Sequence, residues 1–247
     1  MKRLILKLFA IAVLSAAPLL AYNLILDPFR VLRKNYDSFS ICPNERFVKV
    51  DHVLGNPDRY DSFLFGSSRV SLVPVEKFDR ALGGRHYNMT FVSGVMSEYL
   101  TVLELFLDRG IEVKNVVVGI DYFSFKMLPL EGMARNRMYP LTLREWIDVY
   151  FTFLTLEPDT SMLKEIKFDG KEAVYDLTGT GGYVFMRREM KIDADPTSHR
   201  IRFTLPIFTV CEKRLDETSR ELREIVDLCS KHGIRLTVFI NPVNLGS

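Results

Sequence analysis

Cysteine, histidine and net charge are all in short supply in this chain. Cys42, Cys211 and Cys229 are the only cysteines among 247 residues. Their odd number and wide spacing exclude a zinc-type ligand set, and Cys42 could pair with at most one of the other two; three buried or idle thiols are the expectation. Cys211 and Cys229 fall near opposite ends of one predicted helix, about 27 Å apart at 1.5 Å per residue, so they do not pair with each other. A net charge of +2 gives no broad basic surface, so nucleic acid is not an expected partner. Internal repeats and low-complexity tracts are missing. So is a phosphate loop: "GTGG" at 179–182 is followed by no Lys-Ser/Thr pair and lies in no strand-to-helix turn. Neither a metal nor a cofactor is expected. What remains is globular composition, 47% hydrophobic and 26% charged, at a length that suits one large domain or one domain with an appendage.

The most informative shortage is local. Between Leu8 and Leu26 there is no charged residue. As a helix these nineteen residues span about 28 Å, close to the hydrocarbon thickness of a bilayer. A cleaved signal peptide would stop near Ser15–Ala17, but the apolar run continues past them. A buried core helix is disfavoured by Pro18 and by apolarity on every side. Residues 1–26 are therefore read as an uncleaved, single-pass anchor. Lys2, Arg3 and Lys7 precede the run, and Arg30, Arg33 and Lys34 follow it. The short basic N-terminus is expected in the cytoplasm, with the rest exported.

Residues 27–58 are punctuated by Asp27-Pro28, Pro43-Asn44 and Asn56-Pro57, and read as an irregular linker. Beyond it the pattern alternates. Strands are predicted at 60–66, 86–91, 113–121 and 234–240, and helices at 74–82, 97–110 and 211–232. This alternation implies an α/β fold with a doubly wound parallel sheet over residues 59–247. Residues 126–208 break the pattern and read as an insertion. It holds a helix at 141–156 opened by a Thr142/Glu145 capping box, a short helix at 160–168 and a hairpin over 171–192. Trp146 and Tyr150, one helical turn apart, suit either a sugar-stacking platform or core packing. Arg69, Arg135, Arg137, Arg187 and Arg188 suit scattered solvated charge better than a polyanion site.

Chemistry is concentrated where the first strand ends, in "FLFGSSRVS" at 63–71. The C-terminal ends of parallel strands line the ligand crevice of a doubly wound sheet. A serine just past a tight glycine turn is aimed outward there, as a nucleophile must be. The plainer alternative is that Ser67 and Ser68 satisfy backbone amides at a strand end. The second strand exits into "NMTFVSG", with Gly94 ahead of a helix N-terminus, and the third into "VVVGIDYFSF", with Gly119 and Asp121 at the same edge.

In their order and spacing, "FLFGSSR", "YNMTFVSG", "VVVGIDYFSF" and the anchor followed by "LILDPF" resemble the SGNH/GDSL hydrolase superfamily, in particular its membrane-anchored bacterial envelope members. The likeness covers about residues 60–121 and 211–241. It implies a flavodoxin-like three-layer fold, with Ser68 as nucleophile, the Gly94 amide in the oxyanion hole and Asp121 at the position of the family's asparagine. Ser67 replaces the family's aspartate. Asp121 accepts but does not donate when ionised, which weakens any part for it in holding an oxyanion. The family's Asp-x-x-His block has no counterpart after "IRLTVFI"; Asp195 and His199 are spaced one residue too far and precede the last helix. The chain is accordingly read as stopping short of its catalytic segment. The implied activity is an esterase or O-acyl(acetyl)transferase acting on envelope or extracellular polysaccharide through an acyl-serine. The alternative is a non-catalytic membrane-anchored partner in polysaccharide assembly. Expected partners are the acylated polysaccharide, the bacterial inner membrane through residues 8–26, and other envelope assembly proteins.

Overall fold

A computed structural model describes residues 2–34, 36, 43–125, 134–158, 176–182 and 214–241; the side chains at 5, 6, 9–13, 122, 123 and 135 lie outside that description. The chain forms two compact units, one from Met1–Val48 with Gly132–Ala173, the other from Lys49–Glu131 with Val174–Ser247.

The second unit is α/β. Its strands β1 (Ser62–Phe65), β2 (His86–Asn88), β3 (Asn115–Ile120) and β4 (Arg235–Ile240) form one four-stranded sheet in the order β2-β1-β3-β4. Every pairing is parallel: Phe63 faces Tyr87 on one side and Val116 on the other, and Val118 faces Val238. β1, β2 and β3 are buried along their whole length. Continuous apolar runs such as "SFLF" and "NVVVGI" suit strands covered on both faces, where alternation would leave polar groups inside. Helices α3 (Glu76–Leu82) and α4 (Met96–Asp108) make the crossovers, and a later helix, Leu215–Lys231, leads into β4 and packs on α4. The chain moves from β1 outward to β2, then returns to the other side of β1 for β3. That reversal, between β1 and β3, is the switch point at which such sheets open a crevice.

Leu64, Val70, Val75 and Val117 make one buried cluster of the core, with Phe78, Leu82 and Phe239 packed on it. Phe63 meets Phe106 of α4 with ring centroids 4.8 Å apart. Cys229 is buried on the helix before β4. Burial pushes its thiol up to about 11, so it is an inert core group. Cys42 and Cys211 lie outside the described residues.

The described residues of the first unit are mainly helical. Its helix α1 runs unbroken over Lys2–Leu26 with Pro18 inside. Among the described residues no helix is long and apolar enough to cross a membrane. The expected linker at 27–58 needs correction, because it contains helix α2 (Glu45–Gly55). Asn44 opens α2, its Oδ1 accepting from the Phe47 amide at 3.1 Å. Phe47, Val48, Val50 and Val53 are fully buried. Proline pairs on either side hid this helix, whose β-branched valines have modest helix propensity and are held by burial. The boundary between the units falls within α2, after Val48. The predicted helix at 141–156 is α5 (Leu143–Thr155), with Thr142 and Glu145 forming the expected capping box. The last helix, Leu215–Lys231, is α6. The predicted helix at 160–168 lies outside the described residues, as does the 171–192 hairpin apart from 176–182.

Candidate functional site

The turn after β1 is shaped by one wedge and two glycines. The Val70 amide bonds back to the Ser67 carbonyl at 2.9 Å, folding 67–70 over the strand end. The Val70 side chain then fills a slot above β1 and β3. A Cβ on Gly66 would lie 2.7 Å from the Val70 Cβ, and one on Gly119 would lie 2.6 Å from the Val70 Cγ2. Real carbons do not approach so closely, so both positions need glycine for space. These two glycines thus seat Val70.

Asp121 gathers three strand ends. Its carboxylate accepts from the Ser67 hydroxyl after β1, and from Asn241 Nδ2 after β4 at 3.0 Å. Arg69 Nε lies 3.2 Å from the same carboxylate. The Asp121 backbone amide is held by the Ser124 hydroxyl at 3.1 Å. Asp121 and Ser67 are both buried, while Arg69 is partly open to solvent. A buried carboxylate is tolerated when a cation and several donors satisfy it, and here Ser67 and Arg69 come from the turn after β1 and Asn241 from the end of β4. Position 121 therefore acts as a clasp, with its acceptor oxygens engaged.

Ser67 and Ser68 are adjacent and face differently. Ser67 is buried, donating to Asp121 and accepting from the Arg69 amide at 3.2 Å. Ser68 is exposed at the apex of the turn. Its carbonyl accepts from the Ser71 hydroxyl at 2.5 Å, and the Ser71 carbonyl accepts from Asn88 Nδ2 at 3.0 Å. The backbone around Ser68 is thus braced from β2, leaving its hydroxyl outward.

The other predicted site residue is differently placed. Gly94 packs against this turn: a Cβ there would lie 3.0 Å from the Gly66 carbonyl oxygen and 2.6 Å from the Tyr99 hydroxyl. Its N–H donates to the Phe91 carbonyl at 3.0 Å. That amide is already used inside its own loop, so in this conformation it has no proton left for an oxyanion. Ser93 beside it has φ +53°, a conformation rare for a non-glycine residue outside functional or strained loops.

No described histidine accompanies Ser68. His86 begins β2 and bonds Asp79 through Nδ1 at 2.7 Å, and His232 precedes β4, so both lie at the opposite ends of the strands. His52 on α2 contacts the Tyr60 hydroxyl at 3.2 Å and stacks on Tyr87. Asp195 and His199 lie outside the described residues. Among the described residues no three His, Cys, Asp or Glu side chains come together as a metal site needs.

Sequence reasoning missed what 176–182 does. Within "DLTGTGG", the Asp176 carboxylate accepts from the Thr180 amide at 2.7 Å and closes a tight turn. The turn is seated on β2: the Asn88 amide donates to the Thr180 carbonyl at 2.8 Å. Tyr87 donates its hydroxyl proton to the Leu177 carbonyl at 2.8 Å, and Tyr60 to that of Gly179 at 2.6 Å. The signal was present as an aspartate four residues ahead of a threonine in a glycine-rich stretch, a side chain able to close its own turn. At the other end of the sheet, a cavity of about 390 Å³ is lined by Leu82, Gly84, Lys114, Asn115 and Arg235, away from the Ser68 turn. No family model, no curated protein and no solved structure matches the chain.

Proposed function

We propose that this is a membrane-anchored serine acyl-transfer protein of SGNH type, an esterase or O-acyltransferase whose nucleophile is Ser68 and whose substrate is an acylated envelope polysaccharide. One observation carries the reading. An exposed serine stands at the apex of a rigid turn at the sheet's switch point, with its neighbour Ser67 tied down to a buried carboxylate. In the reaction, a general base takes the Ser68 Oγ proton as the oxygen attacks the ester carbonyl. The alcohol leaves, and an acyl-serine remains for water or a sugar hydroxyl to resolve. The Ser68 amide and the loop at 93–94 are the nearest candidates for oxyanion donors, the second after release of Gly94 from Phe91. The three-layer fold, the anchor role of α1 and export of the α/β unit belong to the same proposal. Exposed apolar side chains on α1 support the anchor: Leu4, Leu8, Leu14, Leu24 and Ile25 are exposed on several of its sides, where lipid is the natural cover.

A second reading has its own support. The engaged Gly94 amide and the lack of a described histidine near Ser68 suit a non-catalytic envelope partner that keeps the turn as a surface. A fluorophosphonate probe applied to the full chain in detergent separates the two. Labelling that Ser68→Ala abolishes and Ser71→Ala retains supports the enzyme. A folded chain that takes no label overturns it in favour of the partner.

A further inference from the structure

Helix α5 carries more apolar surface than the described residues of its own unit cover. At 100° per residue, Leu143, Ile147 and Phe151 form one ridge along the helix. They are 77%, 63% and 66% exposed. The packed side is a separate strip, Val149 and Phe153, both buried. Arg144, Glu145 and Asp148 occupy the remaining face. The apolar arc is thus about twice as wide as the packed strip, which suits a helix lying at a boundary between water and an apolar phase.

The contacts of α5 point to which phase. The Asn23 side chain, buried near the end of α1, donates from Nδ2 to the carbonyls of Leu154 and Leu156, both at 2.9 Å. Those carbonyls are the unpaired acceptors at the C-terminus of α5. The end of α5 is thereby fixed beside the last turn of α1. Phe29, just past α1, meets Phe153 with centroids 5.6 Å apart. On the same helix, Trp146 stacks on Tyr150 at 5.5 Å and meets Tyr139 edge-on at 5.3 Å. The Lys34 ammonium stands 5.4 Å from the centre of the Trp146 ring. A tryptophan, two tyrosines and a lysine gathered on and beside a helix whose C-terminus meets the end of α1 have the composition of a membrane–water interface.

We propose that the Leu143–Ile147–Phe151 face of α5 lies in the lipid interface of the membrane that α1 enters. This rests on the anchor reading of α1. The helix then holds its unit at the bilayer surface by a second attachment, with Arg144, Glu145 and Asp148 toward water.

Trp146 is the one tryptophan in the chain, so intrinsic fluorescence reports on α5 alone. The full chain is reconstituted into phosphatidylcholine–phosphatidylglycerol vesicles, washed with alkaline carbonate, and titrated with lipids brominated near the headgroup end of the acyl chain. The expected result is retention after the wash, strong quenching of Trp146, and quenching reduced about twofold in the Ile147→Glu/Phe151→Glu variant, whose changes are at exposed positions. Release by carbonate overturns the anchor reading, and this inference with it. Retention without quenching overturns the inference alone. Quenching that the double variant leaves unchanged also overturns it, because nearness to α1 then accounts for the signal. A dimer in detergent that the double variant dissociates, with no quenching in vesicles, assigns the ridge to a second copy and overturns lipid as its cover.

Discussion

The two edge strands of the sheet are treated in opposite ways. β2 is only "HYN", yet all three residues are buried, because the 176–182 turn lies along its outer side and takes the Asn88 amide proton. β4, "RLTVFI", is twice as long and more apolar. Among the described residues no segment covers its outer side, and Ile240 is 77% exposed. Burial of an edge therefore follows from what is seated on it and not from its own composition. An open parallel edge is a template for further pairing, so among the described residues β2 is the protected edge and β4 the one open to further pairing.

Substitutions on the covered side should cost most. Gly181 has φ +71°, and a Cβ there would lie 2.6 Å from the Tyr87 ring and 2.7 Å from the Asn88 carbonyl oxygen. Gly181→Ala combines a left-handed backbone with overpacking, and about 2–4 kcal/mol of destabilisation is expected. Urea unfolding of the full chain in detergent measures it, and hydrogen exchange should show 176–182 and β2 opening together. Tyr87→Phe is milder. It leaves the buried Leu177 carbonyl without its donor and should cost about 1–2 kcal/mol by the same assay. An unchanged midpoint for either variant would mean that the turn does not hold β2.

Acid should loosen the sheet at the N-terminal ends of its strands. Burial by itself would push the Asp61 carboxyl up, but the Arg85 amide, the Lys114 ammonium and the Ser62 hydroxyl outweigh it and hold the group below the usual carboxylate range. These partners lead into β2, β3 and β1 in turn. A lowered value in the folded state means that the unfolded chain takes up the proton first as pH falls. The stabilisation is present above the unfolded carboxylate value of about 4 and is lost as pH drops through the lower folded one. Wild type should therefore lose stability below about pH 4 more steeply than Asp61→Asn. Parallel acid profiles would count against this role. The smallest effect is expected on the open side: Ile240→Lys should change stability by no more than about 0.5 kcal/mol while lowering self-association in sedimentation.

The same contrast explains what was readable beforehand. β1, β3, β4, α3, α4, α5 and α6 follow from local patterns, because apolar runs, caps and glycine stops agree with the final structure at each of them. The register of Ser68 and Asp121 at neighbouring strand ends also follows, since parallel strands deliver their C-terminal residues to one edge. The α2 helix did not, because its stability comes from packing of Phe47 and its valines. Nor did the seat of 176–182 on β2, which joins residues about ninety positions apart. The direction of the Gly94 amide depends on a single loop bond to Phe91, and no residue pattern marks it.

The clasp at Asp121 also has a history in time. Ser67 is 54 residues away from Asp121 along the chain, and Asn241 is 120 away. During synthesis β1, β2 and β3 emerge together, while β4 follows β3 by roughly 6 to 24 s at 5–20 residues per second. Throughout that interval the β4-facing side of β3, with Val116 and Val118, has no strand paired to it. The nascent chain passes through a stage in which its most apolar strand is the open one, and only the arrival of β4 transfers that exposure to the less critical edge. Asn241, just past β4, then closes the clasp on Asp121.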